Sequence, residues 1–388
     1  MTFPEANAFL KGAGPASQTL LDCCADLDGP PPGFERVWAA FEPMEVMQKR
    51  GQIARPQTGE VWQLLCDEGV ALGGADWAPP PLAYFAAGLA CSVTGAVIAK
   101  AAAHGVAPEA ISVSLSNHYT LSGSILRGTM EGMGQNPDVS VTIDGTNLSP
   151  KEKSGLVLEA VSSVLAGYLM KSVFTSAFSL TANGAAVSLD LPHWDRNLAA
   201  DTLPTAALAS SDGDAAYVSK IAMRPDDPDF NNVGGSGLDT VQNRTITVTA
   251  NAKADPEGVY ALDAGIARPN ASVYSFLGAS DAGAGDVAAA PSSACLIAAG
   301  IGFCYMTQLG RYAEAKKRPV HDYRMIQSID IPLPGADGSQ TPVIGTKLFL
   351  NLDEPDEDFA RDLAHSAKRT CFLHSTLQSS LRNRISVA

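Results

Sequence analysis

Two thiols hold the most chemical promise in this chain. Cys304 follows the small apolar run Ala298-Ala299-Gly300-Ile301-Gly302-Phe303, and Cys371 lies 67 residues further on, inside Ala367-Lys368-Arg369-Thr370-Cys371-Phe372-Leu373-His374. Both stretches read as helices. Two thiols on two helices of one domain react as a pair when the helices cross, one thiolate attacking and the other resolving. Lys368, Arg369 and His374 fall within a turn of Cys371, and His374, at i+3, shares its helical face. Positive charge facing Cys371 would lower the pKa of its thiol. The alternative is that both cysteines are small buried hydrophobes, since free Cys is among the most buried residue types. Spacing alone leaves both readings open.

Other motifs point elsewhere only weakly. The six His are scattered, and neither His-Glu-x-x-His nor Cys-x-x-Cys occurs, so no metal site is expected. Neither a Gly-x-x-x-x-Gly-Lys-Ser/Thr loop nor a Gly-x-Gly-x-x-Gly after a strand is present, so no cofactor is expected. Gly-x-Ser-x-Gly is absent, which argues against an ordinary α/β-hydrolase. His118-Tyr119 follows a strand and reads as an exposed strand end or a polar pair at a pocket. Cys295 reads as a packing residue.

The elements that must position the thiols occur twice. Ala86-Ala87-Gly88-Leu89-Ala90-Cys91-Ser92-Val93-Thr94 resembles the run through Cys304, and each places a Thr three positions after its Cys. Pro79 to Pro81 precede the first and Pro291 the second, as helix-start signals. Alternating strands follow at Ile111 to Leu115 and Met325 to Ile331, then at Val139 to Ile143 and Val343 to Leu352. Long helices are expected from Glu152 to Phe174 and from Asp358 to Leu381, each with acidic residues in its first turn. Upstream, Gly59 to Val70 reads as a hairpin, and Arg244 to Asn251, Gly258 to Ala264 and Ala271 to Leu277 read as three strands. Ala16 to Ala25 reads as a helix.

This succession of a Cys-bearing apolar helix, a strand and a later helix with a second Cys resembles the OsmC/organic hydroperoxide resistance superfamily. The resemblance covers most of residues 60–178 and 240–385. It implies an α+β fold: two tandem OsmC-like units, each a strand-rich part, a buried central Cys helix, strands and a C-terminal helix, packed as a pseudo-dimer. The implied division is an N-terminal extension over 1–40, a first unit over 41–180, a linker and insertion over 181–240 and a second unit over 241–388. The implied activity is thiol-dependent reduction of an organic hydroperoxide, with Cys304 attacking, Cys371 resolving, and a dithiol reductant restoring the pair. Two departures qualify it. Gly167 falls opposite Cys371 in the first unit, so Cys91 lacks a resolving thiol there. The family's Glu about ten positions before the first Cys, which works with an activating Arg, is replaced by Pro81 and Ala294. Arg244 and Arg268 are the candidates for the Arg, with Cys91 as a further site residue. The alternatives are a non-redox hydrolase or lyase using one Cys or His374 as base, and a non-catalytic binder of an apolar ligand.

Composition sets the outer bounds. The chain has 388 residues, 46% apolar and 18% charged, enough for two or three folded domains. A formal net charge of −14 disfavours nucleic acid and anionic lipid. Pro81 to Ala103 carries Lys100, and Ala294 to Leu309 is short for a membrane span, so both are expected as buried core helices. Met1 to Gly14 lacks the apolar run of a signal peptide, and seven Cys at irregular spacing do not form a secreted disulfide framework. The expectation is a cytoplasmic protein acting on a small organic substrate, as a pseudo-dimeric monomer or a homodimer.

Overall fold

The computed structural model describes residues 3–17, 19–24, 29–125, 127–163, 167, 173–196, 217–227, 244–254, 259–279, 290–333 and 341–388. Its first stretch contains helix α1 (Phe3–Leu10), strand β1 (Gly14–Pro15), helix α2 (Thr19–Cys24) and strands β2 (Phe34–Pro43), β3 (Lys49–Arg55) and β4 (Glu60–Cys66). Helix α3 (Pro81–Ala101) leads to β5 (Ile111–Ser122), β6 (Glu131–Gly134), β7 (Asp138–Ile143), α4 (Pro150–Ser162), β8 (Thr175–Ala182), β9 (Ala185–Val187) and β10 (Val218–Met223). Then come β11 (Arg244–Ala254), β12 (Val259–Ile266), β13 (Ser272–Ala279) and helix α5 (Ser293–Ala315). Strands β14 (Asp322–Pro332) and β15 (Val343–Asn351), helices α6 (Glu357–Thr370) and α7 (Phe372–Leu377), and β16 (Arg384–Val387) complete an α+β fold.

Two sheets enclose two helices. One sheet runs β1-β4-β3-β2-β14-β15-β8-β9 and the other β10-β13-β12-β11-β5-β7-β16, with β6 on β5. The two repeat one order: a three-strand meander, then a strand pair, then a parallel strand. The meander before α3 joins the strands after α5, with β2 antiparallel to β14. The meander before α5 joins the strands after α3, with β11 antiparallel to β5. Each sheet is therefore closed by chain from both sides of the linker. Helix α3 packs on the β5/β11/β12 face, α5 on the β2/β3 face, and the two helices pack on each other.

The central helices form because the chain gives them caps and no polar faces. Pro81 starts α3 at a position where the missing N–H costs nothing. The Ser292 side chain caps α5 by accepting from the Cys295 backbone N–H. Small residues let the pair approach: a Cβ on Gly300 would stand 2.8 Å from the Phe85 backbone N, and one on Gly88 2.9 Å from that of Ile297. Both helices are long and apolar enough to cross a membrane, but 83% and 94% of their most apolar windows are buried inside the protein. They are the core between the sheets.

Three expectations need correction. The hairpin expected at 59–70 is one edge of a three-strand meander that begins at Phe34, inside the segment expected as an extension. Charged residues hide β2, because Glu35 and Arg36 interrupt its apolar run. Both are buried in ion pairs, Arg36 with Asp330 at 2.6 Å and Glu35 with Arg55 at 2.7 Å, so the strand tolerates burial on both faces. The segment expected as a linker contributes β9 and β10 to sheet edges; residues 197–216 and 228–243 lie outside the described residues. The helix expected over 358–381 breaks at Cys371, whose backbone is extended (φ −73°, ψ 109°). The helix expected over 152–174 is described over Pro150–Ser162, and most of its remainder lies outside the described residues.

Candidate thiol site

Cys304 sits midway along α5, and Cys371 sits in the joint between α6 and α7. The joint determines the chemistry. Asp356 caps α6 by accepting from Phe359 N–H, and Glu357 and Asp358 favour its first turn. At the other end the Cys371 N–H still closes on Ala367 O at 3.0 Å, but its extended ψ redirects the chain into α7. The turn brings Cys371 Sγ to 3.2 Å from His374 Nδ1, close enough to Cys304 for each thiol to bear on the other's ionisation. Cys304 is 2% exposed, and Cys371 and His374 are fully buried.

The walls are aromatic and come from several strands and helices. The His374 ring lies 5.3 Å from the ring of Tyr305 and 5.7 Å from that of Phe178. Tyr119, from β5, packs against Phe372 with tilted rings 5.5 Å apart, near enough to both thiols for their charge to bear on its hydroxyl. Tyr305 is held by a hydrogen bond to Ala364 O. His374 Nε2 is buried without a hydrogen-bond partner among the described residues.

The two thiols are electrostatically unlike. Burial pushes the Cys304 thiol well up, and the negative charge of its neighbour Cys371 pushes it further. Burial acts on Cys371 too, but the hydrogen bond from Cys304, the charge of His374 and the His374 hydrogen bond outweigh it and hold that thiol well below its ordinary value. Of the two thiols, Cys371 is therefore the more readily ionised.

Glu68, in the segment after β4, is a polar neighbour that sequence reasoning missed. Thr307, one turn beyond Cys304, donates to Glu68 Oε1 at 2.8 Å. Burial raises the Glu68 carboxyl, while Lys49 and the Thr307 hydrogen bond pull it down. Its charge also bears on Cys304. No motif marks it, because it reaches α5 from a distant irregular segment of the chain.

The other expected site residues lie apart. Cys91 donates to Ala279 O at 3.3 Å, across from β13. Gly167 is buried, and its flanking residues 164–166 and 168–172 lie outside the described residues. Arg268 stands over Gly69 and lines a cleft of about 500 Å3 with Asp76, Lys220 and Tyr274. Arg244 opens β11 opposite Leu121. Lys368 and Arg369 close α6, but Arg369 is turned to Met130 O and Ser366; His374 supplies the positive charge that acts on Cys371. Cys295 is buried and donates to Glu60 Oε1 at 2.8 Å; burial first, and then the Glu60 charge, push its thiol well up. His118 bridges Asp138 and Thr247, each at 2.9 Å, within the sheet. Among the described residues no group of three or more His, Cys, Asp or Glu gathers to hold a metal ion.

Two buried thiols thus lie where a central helix meets a broken C-terminal helix on an α+β scaffold. Residues 283–386 match the model of a family described as OsmC-like protein. No curated protein matches the chain. The match runs from just before α5 to β16, so the C-terminal part is similar to OsmC-like proteins over the stretch that holds Cys304, Cys371 and His374.

Proposed function

We propose that the protein reduces organic hydroperoxides through Cys304 and Cys371. The supporting observation is the buried Cys371–His374 contact with Cys304 as an electrostatically coupled neighbour, inside the stretch that matches the OsmC-like family. One thiolate attacks the terminal peroxide oxygen. The O–O bond breaks, the alkoxide takes a proton and leaves as an alcohol, and the sulfur becomes a sulfenic acid. The second thiol attacks that sulfur, a disulfide forms and water leaves. A dithiol reductant then exchanges the disulfide back to thiols. The aromatic wall of Tyr119, Phe178, Tyr305 and Phe372 favours an organic hydroperoxide over hydrogen peroxide. The site is sealed, so substrate enters through a local opening of the fold.

The wider reading is a single-chain pseudo-dimer of two OsmC-like units, over 41–180 and 241–388, with the first lacking the second thiol. The repeated sheet order and the crossing of α3 and α5 support it. Reduced thiols and an acidic surface suit work in the cytoplasm. Steady-state consumption of cumene hydroperoxide with a dithiol reductant provides the test. Turnover should vanish in both Cys304→Ser and Cys371→Ser; turnover that survives both would refute the reading.

A second reading rests on the Cys371–His374 contact, which is also the geometry of a nucleophile and its base in a hydrolase or lyase. Such an enzyme would keep its activity in Cys304→Ser, which separates the two.

A further inference from the structure

We infer that Cys371 is the attacking nucleophile, with His374 as its base and proton carrier, and that Cys304 is the resolving thiol. This reverses the order that the family resemblance implies. The peroxide step rests on the proposed peroxidase function, whereas the choice of nucleophile rests on the geometry alone.

The imidazole touches one sulfur and not the other. His374 Nδ1 lies 3.2 Å from Cys371 Sγ, within reach of its proton. Its ring is fixed between Tyr305 and Phe178, so this contact is held in place. Cys304 has a different setting. Its polar surroundings are the Cys371 thiol, the Leu373 backbone N–H and, further off, the Glu68 carboxyl, whose charge opposes ionisation. The titratable groups that face Cys371 from the packed elements are Cys304 and Tyr305 of α5, Tyr119 of β5 and His374 itself. Only His374 among them brings positive charge. Its Nε2, buried without a protein partner among the described residues, is free to donate to a bound oxygen.

The steps balance. The Cys371 proton passes to His374 Nδ1. The thiolate attacks the terminal oxygen of ROOH, the O–O bond breaks, and the alkoxide takes the imidazolium proton and leaves as ROH. Cys371 is now S–OH. The Cys304 sulfur attacks Cys371 sulfur, the S–S bond forms, the S–O bond breaks, and the departing hydroxide takes the Cys304 proton as water.

The experiment has a peroxide arm and a peroxide-free arm. Reduced Cys304→Ser and Cys371→Ser are each given cumene hydroperoxide with dimedone, and the adduct is mapped by peptide mass. Cys304→Ser should still form the adduct on Cys371. Cys371→Ser should label Cys304 about 100-fold more slowly, the scale of a lost acid–base partner. Rapid labelling of Cys304 with an inert Cys371 would overturn the inference. In the second arm, the wild-type protein is alkylated with iodoacetamide across pH and the label is mapped. Cys371 should react first, with a pH midpoint that moves upward in His374→Asn. Earlier alkylation of Cys304 would overturn the inference. If Cys371 is alkylated first but no thiol reacts with peroxide, the peroxidase function falls and the nucleophile assignment stands.

Discussion

Cys91 and Cys304 lie at matching points of the two central helices, but the protein surrounds them differently. Cys91 donates a hydrogen bond to the Ala279 carbonyl at the end of β13. Cys304 meets a second sulfur, which a broken helix has swung beside it. The apolar helix is thus a packing device used twice, and reactivity comes from what the later helix delivers. The sheets support this view, since both repeat one strand order and the second half of the chain adds Cys371 and His374 at the joint after its C-terminal helix.

The largest effect that could break this contrast is loss of the second sulfur. Cys371→Ser should reduce peroxide turnover to background, measured with a coupled dithiol assay, while retaining the fold by circular dichroism. Next comes His374→Asn. It should lower the rate near neutral pH by about 100-fold and shift the pH–rate profile upward. The sign follows from the cause: His374 holds the Cys371 thiol low, so its removal raises that pKa and leaves less thiolate. Stopped-flow oxidation across pH would show it, and an unmoved profile would contradict it.

Packing between the helices should give a smaller effect, shared by both halves. Gly300→Ala and Gly88→Ala each push a methyl into backbone, so each should cost about 1–3 kcal/mol in denaturant unfolding. A neutral result for either would show that the helices do not cross at these residues.

Glu68 sharpens the contrast through stability. Its folded pKa is raised, so its contribution is present below the unfolded carboxylate pKa and is lost as pH rises through the folded value. Glu68→Gln should therefore gain on the wild-type protein as pH rises, in urea titrations at acidic and neutral pH. A difference that does not change with pH would argue against the buried carboxyl. The smallest effect belongs to Cys91→Ala, which should leave turnover unchanged and cost about 1 kcal/mol for one hydrogen bond. Loss of turnover there would end the distinction between the two cysteines.

Much of this was legible in the chain. The i+3 spacing of Cys371 and His374 is met by their contact, and the two apolar helices are announced by their prolines and small residues. The misses have physical reasons. Glu35 and Arg36 obscure β2 because their partners, Arg55 and Asp330, come from other strands. The break at Cys371 carries no Gly or Pro; tertiary contacts of α7 with α5 and β6 impose it on a run with helical character. Arg268 had the charge of an activator but stands over Gly69 in a separate cleft, and nothing local in its sequence tells the two places apart.

The central claim is that Cys304 and Cys371 form one redox unit. The most direct measurement is intact mass and peptide mapping of the fully reduced protein after one equivalent of cumene hydroperoxide. The account predicts rapid loss of two hydrogens and a single Cys304–Cys371 disulfide, with Cys91 unmodified. Slow oxidation spread over the other cysteines, or oxygen added without a disulfide between these two, would contradict it.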